Sequence, residues 1–365
     1  MPDHGRMIDR SRTSRILKRA FRLSVTAAFL SLGLGTAELA QAQQSVSSGA
    51  SSLPFLTLRD RTGESSPQKY FGDDRSDLKA GWCDVRETKL SLLTPLAEAS
   101  TLRIPDEITR LSAIRETSPD AIYDAVRDST GDARPLFYTH GFFIDFDKGC
   151  RRATLFMQNT RTEGRFLWFS WPSDGAIFNY THDEADLYWS LPEYADAILE
   201  MHQRFGPNRV DVAGHSLGGR GLVLALNEVA VREPGTRLGH VVLLAPDMDA
   251  DIFAGILPRI RPIVDSLTIY VSGTDRPLAL SEQLHGYARL GQAGNDVSAF
   301  TDVEIIDVTD LPLRSPTGHL YHIYNPEVGA DIDQLLSQGK RASERDNLTK
   351  IGPNLWSLTR GATEK

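Results

Sequence analysis

Read without any other information, this chain is an α/β protein with a mostly parallel central sheet and helices on both faces. Two observations point there. From about residue 68 onward, short apolar runs alternate with longer segments of helical spacing, which is how parallel strands joined by crossover helices read. The composition, 41% hydrophobic and 24% charged over 365 residues, is that of a globular chain with a sizeable core, and it excludes a collagen-like, disulfide-dense or disordered protein.

The first 42 residues read as a secretory signal peptide. Arg6, Arg10, Arg12, Arg15, Lys18, Arg19 and Arg22 form a basic start, Leu23 to Leu34 an apolar core, and Ala40-Gln41-Ala42 a small-residue exit. Twelve alanine-rich apolar residues are short for a membrane span, so no stable span is expected once the signal is removed. That segment holds seven Lys/Arg and three Asp/Glu, so its removal takes the formal charge from -8 to -12. A body that acidic is a poor binder of polyanions, and nucleic acid is not an expected partner. Residues 43–67, rich in Ser, Gly and Gln, read as a flexible leader. One domain is expected over 68–340 and a C-terminal tail over 341–365. Cys83 and Cys150 can pair in an exported protein, but the sequence does not say whether they do.

Within the domain, Leu136–Thr139 and Phe166–Ser170 read as strands, with a helix between them over Cys150–Thr160. Leu191–Phe205 has helical spacing. Val210–Ala213 is a strand followed by a helix over Arg220–Val231, and Val241–Ala245, Leu267–Ser272 and Val303–Val308 are further strands. Sites in such sheets gather at the carboxyl ends of the strands.

One strand end carries a chemical signature. Gly214-His215-Ser216-Leu217-Gly218 has the form G-x-S-x-G, follows the 210–213 strand directly, and opens a helix rich in small residues. A serine on so tight a turn needs small neighbours, and the turn lifts its hydroxyl clear of the sheet. A serine hydroxyl needs a base. In this arrangement nucleophile, acid and histidine follow one another along the chain. The strand 267–272 runs into Asp275, and the last strand leads to a loop (SPTGH) ending in His319. The expected triad is Ser216, Asp275 and His319. His319 is preferred to His322, which enters a helical segment. His285 is expected to face away. Asp247 and Asp249 compete for the acid role, with helix capping as their alternative use.

Acyl transfer also needs donors for the oxyanion. The backbone N–H of Leu217 is one candidate, and that of Phe142, after the strand ending in His140-Gly141, is the second. Phe143, Trp171 and Tyr180 are candidates for lining a substrate pocket; Trp168, Phe169, Tyr188 and Trp189 are others. Neither a metal nor a cofactor is called for.

Seven stretches together resemble a known group: FYTHGF (137–142), FSWPSDG (169–175), YTHDEADLYWS (180–190), GHSLGGR (214–220), LAPDMDADIF (244–253), YVSGTDRPLALS (270–281) and GHLYHIYNPEVGADI (318–332). They are similar to the α/β-hydrolase superfamily and, more narrowly, to its bacterial esterase/lipase-like family called domain of unknown function 900. The resemblance implies the α/β-hydrolase fold, supports the same triad, and implies that Trp171 and the 180–190 segment cap the site. Relatives tend to carry tyrosine–asparagine where this chain has Phe142-Phe143, so a more apolar entrance is expected here. The expected activity is that of an exported serine hydrolase, periplasmic or secreted, acting on small-molecule or lipid-like carboxylic esters through an acyl-enzyme. Amide or lipid hydrolysis on the same triad, or a binding protein with a dead site, are the alternatives.

Overall fold

The computed structural model describes residues 50–87, 109–176, 178–298 and 300–360. The expected signal peptide lies outside them. Three strands come first: β1 (Ala50–Arg61), β2 (Phe71–Glu87) and β3 (Thr109–Thr117). After α1 (Pro119–Thr130), strands and helices alternate: β4 (Leu136–Thr139), α2 (Phe146–Asn159), β5 (Phe166–Ser170), α3 (Tyr180–Phe205), β6 (Asp211–His215), α4 (Leu217–Arg232), β7 (Leu238–Leu244), α5 (Ala250–Ile260), β8 (Val264–Val271), α6 (Arg276–His285) and β9 (Glu304–Asp307). The short α7 (Tyr321–Tyr324), then α8 (Pro326–Gln338), β10 (Leu348–Lys350) and β11 (Leu355–Leu358), complete the order.

All eleven strands among the described residues share one sheet, ordered β10-β11-β9-β8-β7-β6-β4-β5-β1-β2-β3. From β11 through β1 each neighbouring pair is parallel; only β1–β2, β2–β3 and β10–β11 are antiparallel. Successive side chains leave opposite faces of a strand, and both faces are covered. On β7, Val241 and Leu243 enter a core with α3, α4 and α5, while Val242 and Leu244 enter a second core with α2 and α8. This is why the central strands read as unbroken apolar runs rather than alternating ones. The expected α/β architecture, a mostly parallel central sheet with helices on both faces, is borne out.

Two expected boundaries are corrected. The leader expected over 43–67 contains β1, whose Leu53, Phe55, Leu56 and Leu58 are buried on the two faces. Its Ser-rich start and Pro54 concealed it. Pairing with β5 begins only at Phe55, so the missing Pro54 N–H breaks no ladder bond there. The tail expected over 341–365 contains β10 and β11, and β11 joins the sheet beside β9. Strands of three and four residues are too short to show a period.

Cys83 on β2 and Cys150 on α2 form a disulfide, which ties the N-terminal strands to the helix following β4. Among the described residues no helix is long and apolar enough to cross a membrane.

Candidate active site

The strands β4, β6, β7, β8 and β9 are parallel neighbours, so their carboxyl ends lie along one edge of the sheet. Every expected catalytic residue follows one of those ends.

Ser216 follows β6 in a left-handed conformation, φ +54° and ψ -123°, and caps α4. A non-glycine residue there is strained and persists only where its surroundings hold it. Here its N–H donates to Leu244 O at 2.9 Å, and its carbonyl accepts from Asp247 N at 3.0 Å and Arg220 N at 3.3 Å. The neighbours must be small. A Cβ on Gly218 would run into the His140 carbonyl, and one on Gly141 would sit 2.8 Å from Ser216 Cβ. The glycines of the two motifs therefore let the β4 and β6 ends approach each other.

His319 Nδ1 and Asp275 Oδ2 are 2.6 Å apart. Asp275 is buried and also caps α6, its Oδ1 accepting from Leu278 N. A carboxylate on Nδ1 fixes the tautomer that leaves Nε2 as the basic atom, and Nε2 has no protein partner among the described residues. The His319 ring lies 4.5 Å from the ring of His215, the residue before Ser216, and His319 O accepts from His215 Nε2 at 3.2 Å. The elbow and the histidine loop are thus joined directly. Ser216 Oγ makes no hydrogen bond to a described residue; catalytic hydrogen bonds commonly tighten only when substrate is bound.

Two main-chain N–H groups, of Leu217 and Phe142, have no acceptor among the described residues, whereas the next two after Phe142 are tied down. Phe143 N donates to Asp183 Oδ2 at 3.2 Å and Ile144 N to Ser173 Oγ at 3.0 Å. Leu217 N–H stands at the positive end of α4.

Histidines crowd this corner. His140 stacks on Trp171 with ring centroids 5.0 Å apart, its Nδ1–H donates to Gly141 O at 2.8 Å, and burial lowers its pKa to about 3. His322 is fully buried in α7 with its ring 4.1 Å from that of His215, and neither of its nitrogens has a hydrogen-bond partner. Burial, and then the neighbouring rings, push both His215 and His322 well below the ordinary histidine value. Both are neutral neighbours of His319.

Several expectations change. Trp171 is not a pocket wall or a cap. It is fully buried behind the β4 loop, and its indole N–H is used by His140 O at 2.9 Å. His285 does not face away; its ring packs edge-on to Tyr180 at 5.5 Å. Asp247, a competitor for the acid role, is occupied: it accepts from Tyr180 Oη at 2.6 Å, Ser281 Oγ at 2.6 Å and Arg289 Nε at 2.7 Å. Burial raises its pKa, but Arg220 and Arg289 outweigh that and hold it below the usual range. Asp249 caps α5. Tyr180 and Phe142, both half-buried, meet edge to face at 5.1 Å beside the elbow, and Phe143 lies next to them. The segment 180–190 is the first part of the long α3, and Arg220 ties it to the elbow helix through Tyr180 Oη (2.8 Å), Tyr188 Oη (3.2 Å) and Glu184.

Asp174, His182 and Asp183 bring possible metal-ligand atoms within 4.8 Å of one another. Both Asp183 oxygens are already taken, by Ser173 Oγ and Phe143 N on one side and Asp174 N on the other. Sequence reasoning missed Arg59, Ser173, Asp183 and Arg220 as parts of this corner. The last three lie in quoted motifs, but nothing around Arg59 signals its destination.

A family model described as an alpha/beta hydrolase of unknown function (DUF900) matches residues 119–338, more than half of the chain. No curated protein matches. Among solved structures, the chain is similar to a hormone-sensitive lipase from a metagenome library, with 17% identity over 68% of this chain and 96% of that one and a TM-score of 0.35. It is similar to an esterase of Pyrobaculum calidifontis, with 13% identity over 73% and 82% and a TM-score of 0.34. The product of gene lin2722 of Listeria innocua matches at 14% identity over 62% and 99%, with a TM-score of 0.36. Likenesses this distant assign no role to any residue here.

Proposed function

This chain belongs to the DUF900 family of α/β hydrolases, and on that premise we propose that it is an exported serine hydrolase that cleaves carboxylic esters. The observation that carries the reading is the strained Ser216 elbow facing a loop whose histidine is already oriented by Asp275 at 2.6 Å. Ser216 Oγ attacks the ester carbonyl while His319 Nε2 takes its proton. The oxyanion forms against the N–H groups of Leu217 and Phe142. His319 returns the proton to the leaving alcohol, and Asp275 stabilises the imidazolium in between. Water, activated by His319 in turn, releases the acid from the acyl-enzyme. Phe142, Phe143 and Tyr180 give the entrance an apolar side, which suits an acyl chain or aromatic ester.

Export is supported by the basic-apolar-small order of the first 42 residues and by the Cys83–Cys150 disulfide, since such bonds persist in oxidising compartments. The mature protein recovered from the periplasm or medium is expected to begin at Gln43.

The test of the chemistry is Ser216→Ala with p-nitrophenyl acetate and butyrate. Loss of a catalytic serine costs on the order of 10⁴-fold or more in kcat, and labelling by a fluorophosphonate probe should vanish with it. Ester turnover surviving at more than a few per cent in the variant overturns the nucleophile assignment. A wild-type protein that neither turns over esters nor takes the probe is a binding protein on this fold.

A further inference from the structure

Arg59 sits in β1, outside the residues that the family model matches, and is completely buried. A buried guanidinium must have its donors met, and here the acceptors are specific. Nη2 donates to Ile144 O at 2.7 Å, Nη1 to Ser173 O at 2.8 Å and Gly72 O at 3.0 Å, and Nε to Ser170 Oγ at 3.0 Å. No carboxylate among the described residues takes a direct bond from it. Ile144 and Ser173 belong to the two loops, after β4 and after β5, that stand behind Phe142. The loops are also tied to each other: Ser173 Oγ accepts from Ile144 N and donates to Asp183 Oδ2 at 2.5 Å, and the same carboxylate oxygen accepts from Phe143 N. Phe143 has φ +64°. A phenylalanine in the left-handed region is strained and needs a frame that over-determines it, and it directly follows Phe142, whose N–H is proposed above as an oxyanion donor.

We propose that Arg59, Ser173 and Asp183 are positioning residues that hold the strained Phe142-Phe143 turn so that the Phe142 N–H is aimed at the developing oxyanion. The inference rests on the ester-hydrolase reading above. None of the three touches substrate, so their effect belongs to the transition state and not to substrate binding.

The test compares Arg59→Met, Ser173→Ala, Asp183→Ala and Asp183→Asn with the wild type and with Arg61→Ala, a change in the same strand at an exposed ion pair with Glu116. A misplaced donor costs on the order of 10- to 100-fold in rate. That loss is expected in kcat for p-nitrophenyl butyrate in Arg59→Met and Asp183→Ala, with a smaller loss in Ser173→Ala and KM within about threefold of wild type throughout. Affinity for an alkyl boronic acid, which forms a tetrahedral adduct on the serine, should fall by the same factor as kcat. Asp183→Asn keeps an acceptor for Phe143 N and should recover most of the rate, and Arg61→Ala should match wild type. Folded variants with wild-type kcat and boronate affinity overturn the proposal, as do losses that appear only in KM. If Arg59→Met does not fold, Ser173→Ala, which removes a single oxygen, decides it. Failure of the hydrolase reading itself shows in the wild type, as absent turnover and absent fluorophosphonate labelling, and it removes this proposal with it.

Discussion

Each flank of the sheet sends one fully buried arginine inward, and the two are used differently. Arg59, from β1, bonds mainly to main-chain carbonyls, two in the loops behind Phe142 and one at Gly72 of β2, and burial lowers its pKa to about 10 despite Asp145 and Asp183 nearby. Arg345, from the segment before β10, bonds to carboxylates: Asp331 Oδ2 at 2.8 Å and Glu304 Oε2 at 3.0 Å, with Tyr270 Oη at 3.2 Å. Burial pulls its pKa down, but Tyr270, Asp331 and Glu304 outweigh that and raise it. Glu304 also takes Arg341 and Ala342 N. The first arginine fixes the shape of loops at the carboxyl end of the sheet. The second neutralises charge between β8, β9 and α8 and pins the C-terminal strands. Burial of a charge therefore does not by itself say what the charge is for; its acceptors do.

The largest effect that can break this contrast is on stability. Arg345→Met leaves Asp331 and Glu304 buried without their shared partner, and breaking a buried ion pair from one side costs about 3–5 kcal/mol. Urea unfolding should show a loss of that size, while kcat/KM of the folded variant stays within about twofold of wild type. A fall in kcat as large as that expected for Arg59→Met would mean that the two arginines are not divided in this way.

The placement of the candidate site at neighbouring strand ends was legible in the sequence and the flanks were not, for a physical reason. Ser216, Leu217, His319 and Asp275 each announce themselves through neighbours required within a few residues: Gly214 and Gly218 around the elbow, Gly318 before the histidine, a strand running into Gly273-Thr274-Asp275. Arg59 finds its partners in the loops behind Phe142 at 85 and 114 residues away in the chain, and Arg345 reaches Tyr270 at 75, and no local pattern encodes such a distance. The central strands could be read because burial on both faces leaves only apolar choices. β1 was lost among serines and a proline, and β10 and β11 were lost for want of length. Trp171 misled because an aromatic residue near a site is chemically ambiguous. Only its contacts show that it props up the His140 turn and does not line a pocket.

The disulfide sharpens the comparison at the N-terminal flank. Cys83 and Cys150 are 67 residues apart in sequence, and opening a loop of that size releases chain entropy worth about 4 kcal/mol. The double variant Cys83→Ser/Cys150→Ser should lose 2–5 kcal/mol by denaturant unfolding. Hydrogen exchange should rise in β1 to β3 and α2 but not in β10 and β11, whose anchoring runs through Arg345. Uniform loosening of both flanks would show that they are one cooperative unit.

The smallest effect separates the corner from both flanks by pH. His140, His215 and His322 are buried and neutral, with pKa values pushed below the ordinary 6.5 chiefly by burial. The unfolded chain binds protons at these positions first as pH falls, so stability is full above about pH 6.5 and is lost below it, at up to about 1.4 kcal/mol per pH unit for each histidine. The flank arginines keep their charge throughout this range and contribute no slope. His322→Phe is the clean probe, because neither ring nitrogen makes a hydrogen bond and the ring already packs on His215 and on Phe156 at 5.4 Å. The groups that face it, His215, His319 and Arg152, remain in the variant, so the difference between the two proteins isolates one proton. Between pH 6 and 4.5 the stability of His322→Phe should fall less steeply than that of wild type, by up to about 1.4 kcal/mol per pH unit. Equal slopes would mean that His322 binds its proton as readily in the folded protein as in the unfolded chain, which a ring enclosed on every side by α2, α7 and the elbow does not permit.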